Sequence, residues 1–369
     1  MKMAKRYLAY GLKKNLWRTV VLSLISALVC IMTISGEATG GEIKYRRAGI
    51  YILAVVISVF SAIIPMLELE GFKNRRNLDT LYFFPIERKK MAVVHFVSGF
   101  VQVVAIYTVA FATSFIYLLA RTNYFALGYM VPYYLLSLLI GLVMYSFFCF
   151  IFIQGNTVAD GVIFCVIWIF VPYIIMSVGL ETFVKAFWGP ADNVWHSAEI
   201  REWNQMSNLT PWGMVFTPIN NLTVIFQEFI EVNRHNPTHL FSDTYAYRYM
   251  QEMYMFFVWG AVGIASAIGF IFGFARKGAH MAGEPSYSWF GYKTLIPICG
   301  YSLILLLASK DSFDFLFIMC WVLMFIGYVI YRRSFKIKKS DIIVMVCGVV
   351  PAIVGIVLHG LMPVFDYGM

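Results

Sequence analysis

Charge is what this sequence has least of. Only 13% of its 369 residues are Asp, Glu, Lys or Arg, against about 25% in a soluble domain. Apolar residues make up 60%, and mean hydropathy is +0.73. A disordered chain needs the opposite composition. A water-soluble globule of this size has too little polar surface to cover so much apolar side chain. Lipid is the expected solvent, and an all-α integral membrane protein is the expected fold class.

Several chemical signatures are missing too. No G-x-x-x-x-G-K-[ST] phosphate loop is present, so the chain does not handle ATP by that route. It has no H-E-x-x-H and no G-x-S-x-G elbow. The six cysteines (Cys30, Cys149, Cys165, Cys299, Cys320 and Cys347) each fall in an apolar run, and none form a C-x-x-C pair. That argues against a disulfide framework or zinc cluster and for small buried hydrophobes. His235 and His239 are four apart, but Asn236-Pro237 between them disfavours one regular helix. Neither a metal site nor a catalytic residue is assigned. Asn208-Leu-Thr210 and Asn221-Leu-Thr223 fit the glycosylation pattern, a pattern short enough to arise by chance.

What is present is a succession of apolar runs near the ~20 residues a helical span requires. Nine spans are predicted: 17–34, 48–67, 91–119, 129–153, 160–180, 255–274, 294–309, 315–331 and 341–360. The net charge of +9 would suggest nucleic acid on a soluble protein, but its distribution points to topology. With the N-terminus inside, 20 of the 29 Lys and Arg residues fall on inner segments. They cluster before and at the start of the first span, at 68–90 and at 332–340. The expectation is a multi-pass protein of the plasma membrane, with a cytoplasmic N-terminus and an extracellular C-terminus. Nucleic acid is not expected as a partner; membrane lipid is.

Residues 1–16 alternate Lys5, Arg6, Lys13 and Lys14 with Tyr7, Leu8, Leu12 and Leu16. That pattern suits an interfacial helix on the inner leaflet rather than a signal peptide. Residues 17–274 are read as a six-span core and 275–369 as three additional C-terminal spans. The outer segment 181–254 carries Trp188, Trp195, Trp203 and Trp212 and eight acidic residues. Its apolar stretch Pro211–Ile230 is read as interfacial or re-entrant.

Ionisable residues deep in a span would point to an ion path. His95, Asp160 and His359 are placed near span ends, and Gln102 is polar but uncharged. No carboxylate or histidine cluster is read near either surface. This argues against an ion-coupled secondary transporter, and against a membrane enzyme or non-transporting sensor. On the sixth span Ala261, Ala265, Gly269 and Gly273 recur every four residues, a candidate packing or dimer face.

The inner loop 68–90 is the most informative segment. Asn74 to Phe84 can form a short helix ended by Pro85. Leu78, Leu81 and Tyr82 then share a face, with Arg75, Arg76 and Asp79 as charged neighbours. An apolar face with a charged rim suits a groove on a cytoplasmic partner. The run Arg76-Asn-Leu78-Asp79-Thr-Leu81-Tyr-Phe-Phe-Pro85-Ile86-Glu-Arg88 resembles the "R-x-L-D … L-P-I-x-R" segment of ABC exporter permeases of the type-2 class. It looks closest to a Gram-positive bacterial branch. Phe84 stands where the family usually has Leu, and the resemblance covers residues 1–275.

That resemblance implies a transmembrane permease subunit of an ATP-driven exporter. Residues 74–84 would be its coupling helix, contacting a separate ATP-binding subunit present in two copies. Arg75, Arg76, Leu78, Asp79, Leu81, Tyr82, Pro85, Ile86 and Arg88 are the contact residues so implied, and Gln154 to Gly161 a second, smaller contact. A second permease chain, identical or a sister, would complete the path. No cofactor is expected on this chain, with ATP and magnesium on the partner. The cargo class implied is peptide, antibiotic, or a cell-wall or lipid molecule.

Overall fold

The computed structural model describes residues 2–36, 42–74, 86–121, 127–169, 243–278, 281–284, 286–308, 315–336 and 338–361. Among these, every regular element is helical. We number the α-helices α1 (Lys2–Gly36), α2 (Glu42–Leu69), α3 (Arg88–Arg121), α4 (Leu127–Gln154), α5 (Val158–Ile169) and α6 (Asp243–Arg276). The C-terminal helices are α7 (Tyr292–Ala308), α8 (Phe315–Arg332), α9 (Lys339–Cys347) and α10 (Val349–Leu361). Five stretches are long and apolar enough to cross a membrane: Met3–Ser35, Ile52–Lys73, Arg88–Ala120, Met130–Gln154 and Phe256–Arg276. They coincide with the first four and the sixth of the predicted spans. The described residues are all-helical, compatible with a multi-pass membrane protein.

Three boundaries differ from the sequence pattern. The basic segment and the first span are one unbroken helix of 35 residues, about 52 Å long. Lys13 and Lys14 are themselves good helix formers, and no proline interrupts the backbone ladder there. α6 begins at Asp243, so the last part of the segment read as 181–254 is already helix. The rest of that segment, with its tryptophans, lies outside the described residues. The predicted ninth span is two helices meeting at Gly348. α5, α7 and α8 are described as shorter apolar helices.

The chain divides into two compact units. The first carries α1 to α4 and α6, and the second carries α5 and α7 to α10. In the first unit α1, α2 and α6 all pack on α3. α4 joins through aromatic and glycine contacts: Tyr145 meets Phe96 and Phe100 of α3, and Ser61 of α2 donates to the Gly141 carbonyl at 3.2 Å. Tyr107, Tyr133, Phe148, Phe152 and Phe270 are fully buried in this unit. Such aromatic packing uses area and ring geometry rather than water exclusion, as helix association in lipid must.

Gly141 allows α2 and α4 to approach closely. A Cβ there would lie 2.7 Å from Ile57 Cδ1. Gly141→Val is therefore expected to cost about 1–3 kcal/mol by overpacking, seen as a lower thermal unfolding midpoint in detergent. Gly260 has nothing within 4 Å of such a Cβ, so Gly260→Ala should leave that midpoint unchanged or slightly raised. Equal effects from the two substitutions would rule out the tight α2–α4 contact.

The second unit is held by polar ties. Arg332 pairs with Asp341 through Nε at 3.0 Å and Nη2 at 2.9 Å. That fork geometry suits a planar guanidinium, and it closes the turn between α8 and α9. Tyr301 of α7 donates to the Val344 carbonyl of α9 at 2.6 Å.

Candidate functional site

The first unit contains a buried polar cluster built from three helices. α1 and α3 both begin at the end of the unit where α2 finishes. Residues 7–18, 67–73 and 94–102 are thereby brought together. Glu68, in the last turn of α2, is the centre. Its side chain is only 3% exposed. Oε2 accepts from Asn15 Nδ2 at 2.8 Å, Arg18 Nη2 at 3.0 Å and Gln102 Nε2 at 3.1 Å. Oε1 lies 3.1 Å from His95 Nδ1.

The outer partners are joined to one another. Arg18 Nη2 also donates to Gln102 Oε1 at 2.7 Å, and Nη1 donates to the Leu67 carbonyl at 3.3 Å. His95 Nε2 lies 3.1 Å from the Tyr7 hydroxyl. An ionised carboxylate only accepts, so Nδ1 of His95 carries a proton toward Glu68. In neutral His95 the ring's other nitrogen then accepts from Tyr7. The result is a continuous Tyr7–His95–Glu68–Arg18 network in which both Glu68 oxygens are engaged. A carboxylate this buried is tolerable only when so paired.

This cluster corrects the expectation that no carboxylate or histidine group gathers near a surface. Glu68 reads as a loop residue and Arg18 as a basic flank when each span is considered alone. The usable signal was alternation of direction. The start of the first span, the end of the second and the start of the third must share one end, and each carries a polar residue.

The same helices enclose a cavity of about 430 Å³. Tyr7, Tyr10, Lys14 and Arg18 line it from α1, Glu68 and Phe72 from the α2 end, and His95 and Ser98 from α3. A second cavity, of about 370 Å³, lies between α4 and α6 with Phe96 of α3. Its lining includes Val143, Met144, Trp259 and Ile264, and no ionisable side chain.

Past Leu69 the chain turns through a 3-10 helix, Glu70–Lys73, and leaves in an extended conformation at Asn74. Arg75, Arg76, Leu78, Asp79, Leu81, Tyr82 and Pro85 lie outside the described residues. Ile86 is half-buried, and Arg88 opens α3. Both ends of this segment are tied. The Lys73 ammonium donates to the Phe152 carbonyl in the last turn of α4, and it sits 3.7 Å from the Phe152 ring centroid. Arg88 Nη1 donates to the Lys277 carbonyl, just past α6, at 3.0 Å.

The Gln154 to Gly161 turn is engaged by the chain itself, within the second unit. Ser286 donates to the Gln154 carbonyl at 2.7 Å and Ser288 to Gln154 Oε1 at 2.8 Å. Gly283 N donates to the Asn156 carbonyl at 3.1 Å. Asp160 is buried and accepts from the Tyr292 hydroxyl at 2.7 Å, with Arg333 Nη2 at 4.0 Å.

Within the first unit only part of the four-residue stripe on α6 packs. Each step of four advances about 40° around a helix. Ala261 and Ala265 are accordingly exposed, while Gly269 and Gly273 are half-buried. A Cβ on Gly269 would lie 2.8 Å from the Phe150 ring of α4, so Gly269 serves packing within the unit. The buried face of α6 is Trp259, Ser266, Phe270 and Phe274.

Among the described residues, no group of three His, Cys, Asp or Glu side chains could hold a metal ion. His235 and His239 lie outside them. Cys30, Cys149, Cys165 and Cys320 are buried, Cys299 is half-buried and Cys347 is exposed. Comparison with family models, curated proteins and solved structures finds no match to this chain.

Proposed function

We propose that the chain is the permease subunit of an ATP-driven exporter of the ABC type-2 class. Its ATP would be bound and hydrolysed on a separate subunit. The observation that carries this reading is the 75–85 segment: its motif resembles the family's coupling helix, and its two ends are tied to α4 and α6 through Lys73 and Arg88. A push on such a segment has a direct route into two candidate spans. The missing phosphate loop is consistent with hydrolysis elsewhere. Two permease chains, paired with each other or with a sister chain, would enclose the path in the plasma membrane, and the N-terminal end of α1 would face the cytoplasm. Peptide, antibiotic, and lipid or cell-wall molecules are the cargo classes.

The test is co-purification with a candidate ATP-binding subunit, followed by ATP turnover in proteoliposomes. Leu78→Asp and Leu81→Asp each place a charge on the apolar face of the segment. Each is expected to lower co-purification and cargo-stimulated ATP turnover by tenfold or more, since burying one unpaired charge costs several kcal/mol. Wild-type assembly and turnover in both variants would refute the coupling-helix assignment.

The Glu68 cluster supports a second reading, an ion-coupled transporter, because a buried carboxylate–histidine pair within candidate spans is the usual hardware of a proton relay. Uptake or efflux by the chain alone, under an imposed proton gradient and without any ATPase, would favour it. Loss of that transport in Glu68→Gln would place the coupling at this cluster.

A further inference from the structure

We propose that the cavity between α4 and α6 holds the acyl chain of a bilayer lipid, which enters from the side of the first unit. The inference rests on the reading of α4 and α6 as membrane spans and is independent of the energy source that drives the protein.

Two glycines of α6 shape this cavity. α4 and α6 touch where Gly263 faces Val143 and again, nearly two turns on, where Gly269 faces Phe150. A Cβ at either glycine would lie 2.8 Å from that neighbour. Gly260, almost one turn before Gly263, also lines the cavity, and nothing lies within 4 Å of a Cβ there. The helices are therefore in contact on one side of the space and apart at Gly260. The cavity measures about 370 Å³. An apolar cavity of about 150 Å³ already takes up a benzene-sized molecule and stays free of water.

The lining is hydrocarbon. Among the described residues it carries no ionisable side chain, and Ser146 supplies its one hydroxyl. Ser146 Oγ donates to the Leu142 carbonyl at 2.7 Å, which uses its proton. The Trp259 indole is the other polar group, and Trp259 is 5% exposed. A water molecule settles in a cavity only with about 2–4 polar partners, and a polar ligand needs groups placed to orient it. Neither finds them here. Left empty, the walls would forfeit their dispersion contacts, so an apolar guest is favoured.

The mouth identifies the guest. Leu139 and Ile264 both line the cavity, yet they are 60% and 65% exposed. Leu135 of α4 and Phe257 and Ile268 of α6 are exposed beside them. The cavity therefore opens sideways, among apolar residues on the outside of two helices long and apolar enough to cross a membrane. In a bilayer the material in bulk at that level is acyl chain. A helix of a second copy is about 10–12 Å across with its side chains. With α4 and α6 in contact, it could lie over the mouth but not enter between them. A single alkyl chain can.

The experiment reconstitutes the full chain in vesicles of phosphatidylcholine, either plain or brominated midway along one acyl chain. Bromine quenches tryptophan emission at close range, and subtracting the emission of Trp259→Phe isolates the Trp259 signal. Most of that signal is expected to be lost in brominated vesicles, although the protein itself buries Trp259. Gly260→Phe places a ring in the open space and is expected to restore the signal, measured again with and without Trp259. Ala267→Leu fills the same cavity with a smaller group and makes the comparison if Gly260→Phe fails to fold. No loss of Trp259 emission in the wild type would overturn the proposal, and cross-linking between copies at Ile264→Cys would then give the mouth to a second chain. Quenching that the filled variant leaves unchanged would put the lipid outside the cavity and overturn the site.

Discussion

Glu68→Leu is expected to destabilise the first unit by about 3–5 kcal/mol, the cost of removing one partner from a buried ion pair. Against the ~5–15 kcal/mol by which domains are stable, that is enough to abolish accumulation of folded chain. The size follows from the burial. The leucine would leave Arg18 Nη2, Asn15 Nδ2, Gln102 Nε2 and His95 Nδ1 without the acceptor they share. Arg18 is the most serious case, being a permanent charge whose side chain is 29% exposed. Glu68→Gln keeps an acceptor oxygen and should cost less. The double substitution Glu68→Leu with Arg18→Leu should recover much of the loss, because no unpaired charge then remains. Denaturant unfolding in mixed micelles measures all three. A Glu68→Leu midpoint equal to the wild type would mean that the cluster is not an interacting network. Additive losses in the double variant would mean that Arg18 and Glu68 do not couple.

The fold class was legible because it rests on bulk composition and run length, and neither depends on which residues meet. The first four spans and the sixth follow from the same runs. Their ends were less legible. The helix α1 continues through Lys5, Arg6, Lys13 and Lys14 because charged long-chain residues propagate a helix well, although hydropathy alone stops it near Trp17. The polar cluster was hidden for a related reason. Glu68, Arg18 and His95 each sit at a span boundary, where a charge needs no explanation. Only the antiparallel course of α2 between α1 and α3 makes them neighbours. On α6 a helix repeat of 3.6 residues makes the four-residue stripe drift from the exposed side at Ala261 to the packed side at Gly269, so only part of it packs within the unit.

If the chain is the exporter permease proposed above, Lys73→Leu is expected to uncouple transport from ATP hydrolysis while leaving the assembly intact. Lys73 is 7% exposed, an ammonium held in the unit by the Phe152 carbonyl and the face of the Phe152 ring. The last carbonyls of a helix have no partner within it, so Lys73 closes the end of α4 and fastens the start of the 75–85 segment to it. A hydrogen bond from a charged donor contributes about 1.5–3 kcal/mol. On the exporter reading, force from the ATP-binding subunit enters at Leu78 and Leu81 and must pass through Lys73 to move α4. Leucine at 73 keeps the bulk of the side chain and removes the tie. Cargo moved per ATP hydrolysed should then fall by about tenfold, the equivalent of ~1.4 kcal/mol, with co-purification of the ATP-binding subunit unchanged. Arg88→Gln cuts the corresponding tie to α6, but that bond is exposed, so its loss should change coupling by only about twofold. The ratio of cargo to ATP in proteoliposomes separates these outcomes. If Lys73→Leu instead abolished subunit binding, residue 73 would belong to the contact surface. If both variants coupled as the wild type does, force would not pass from the segment to α4 and α6 through these ties.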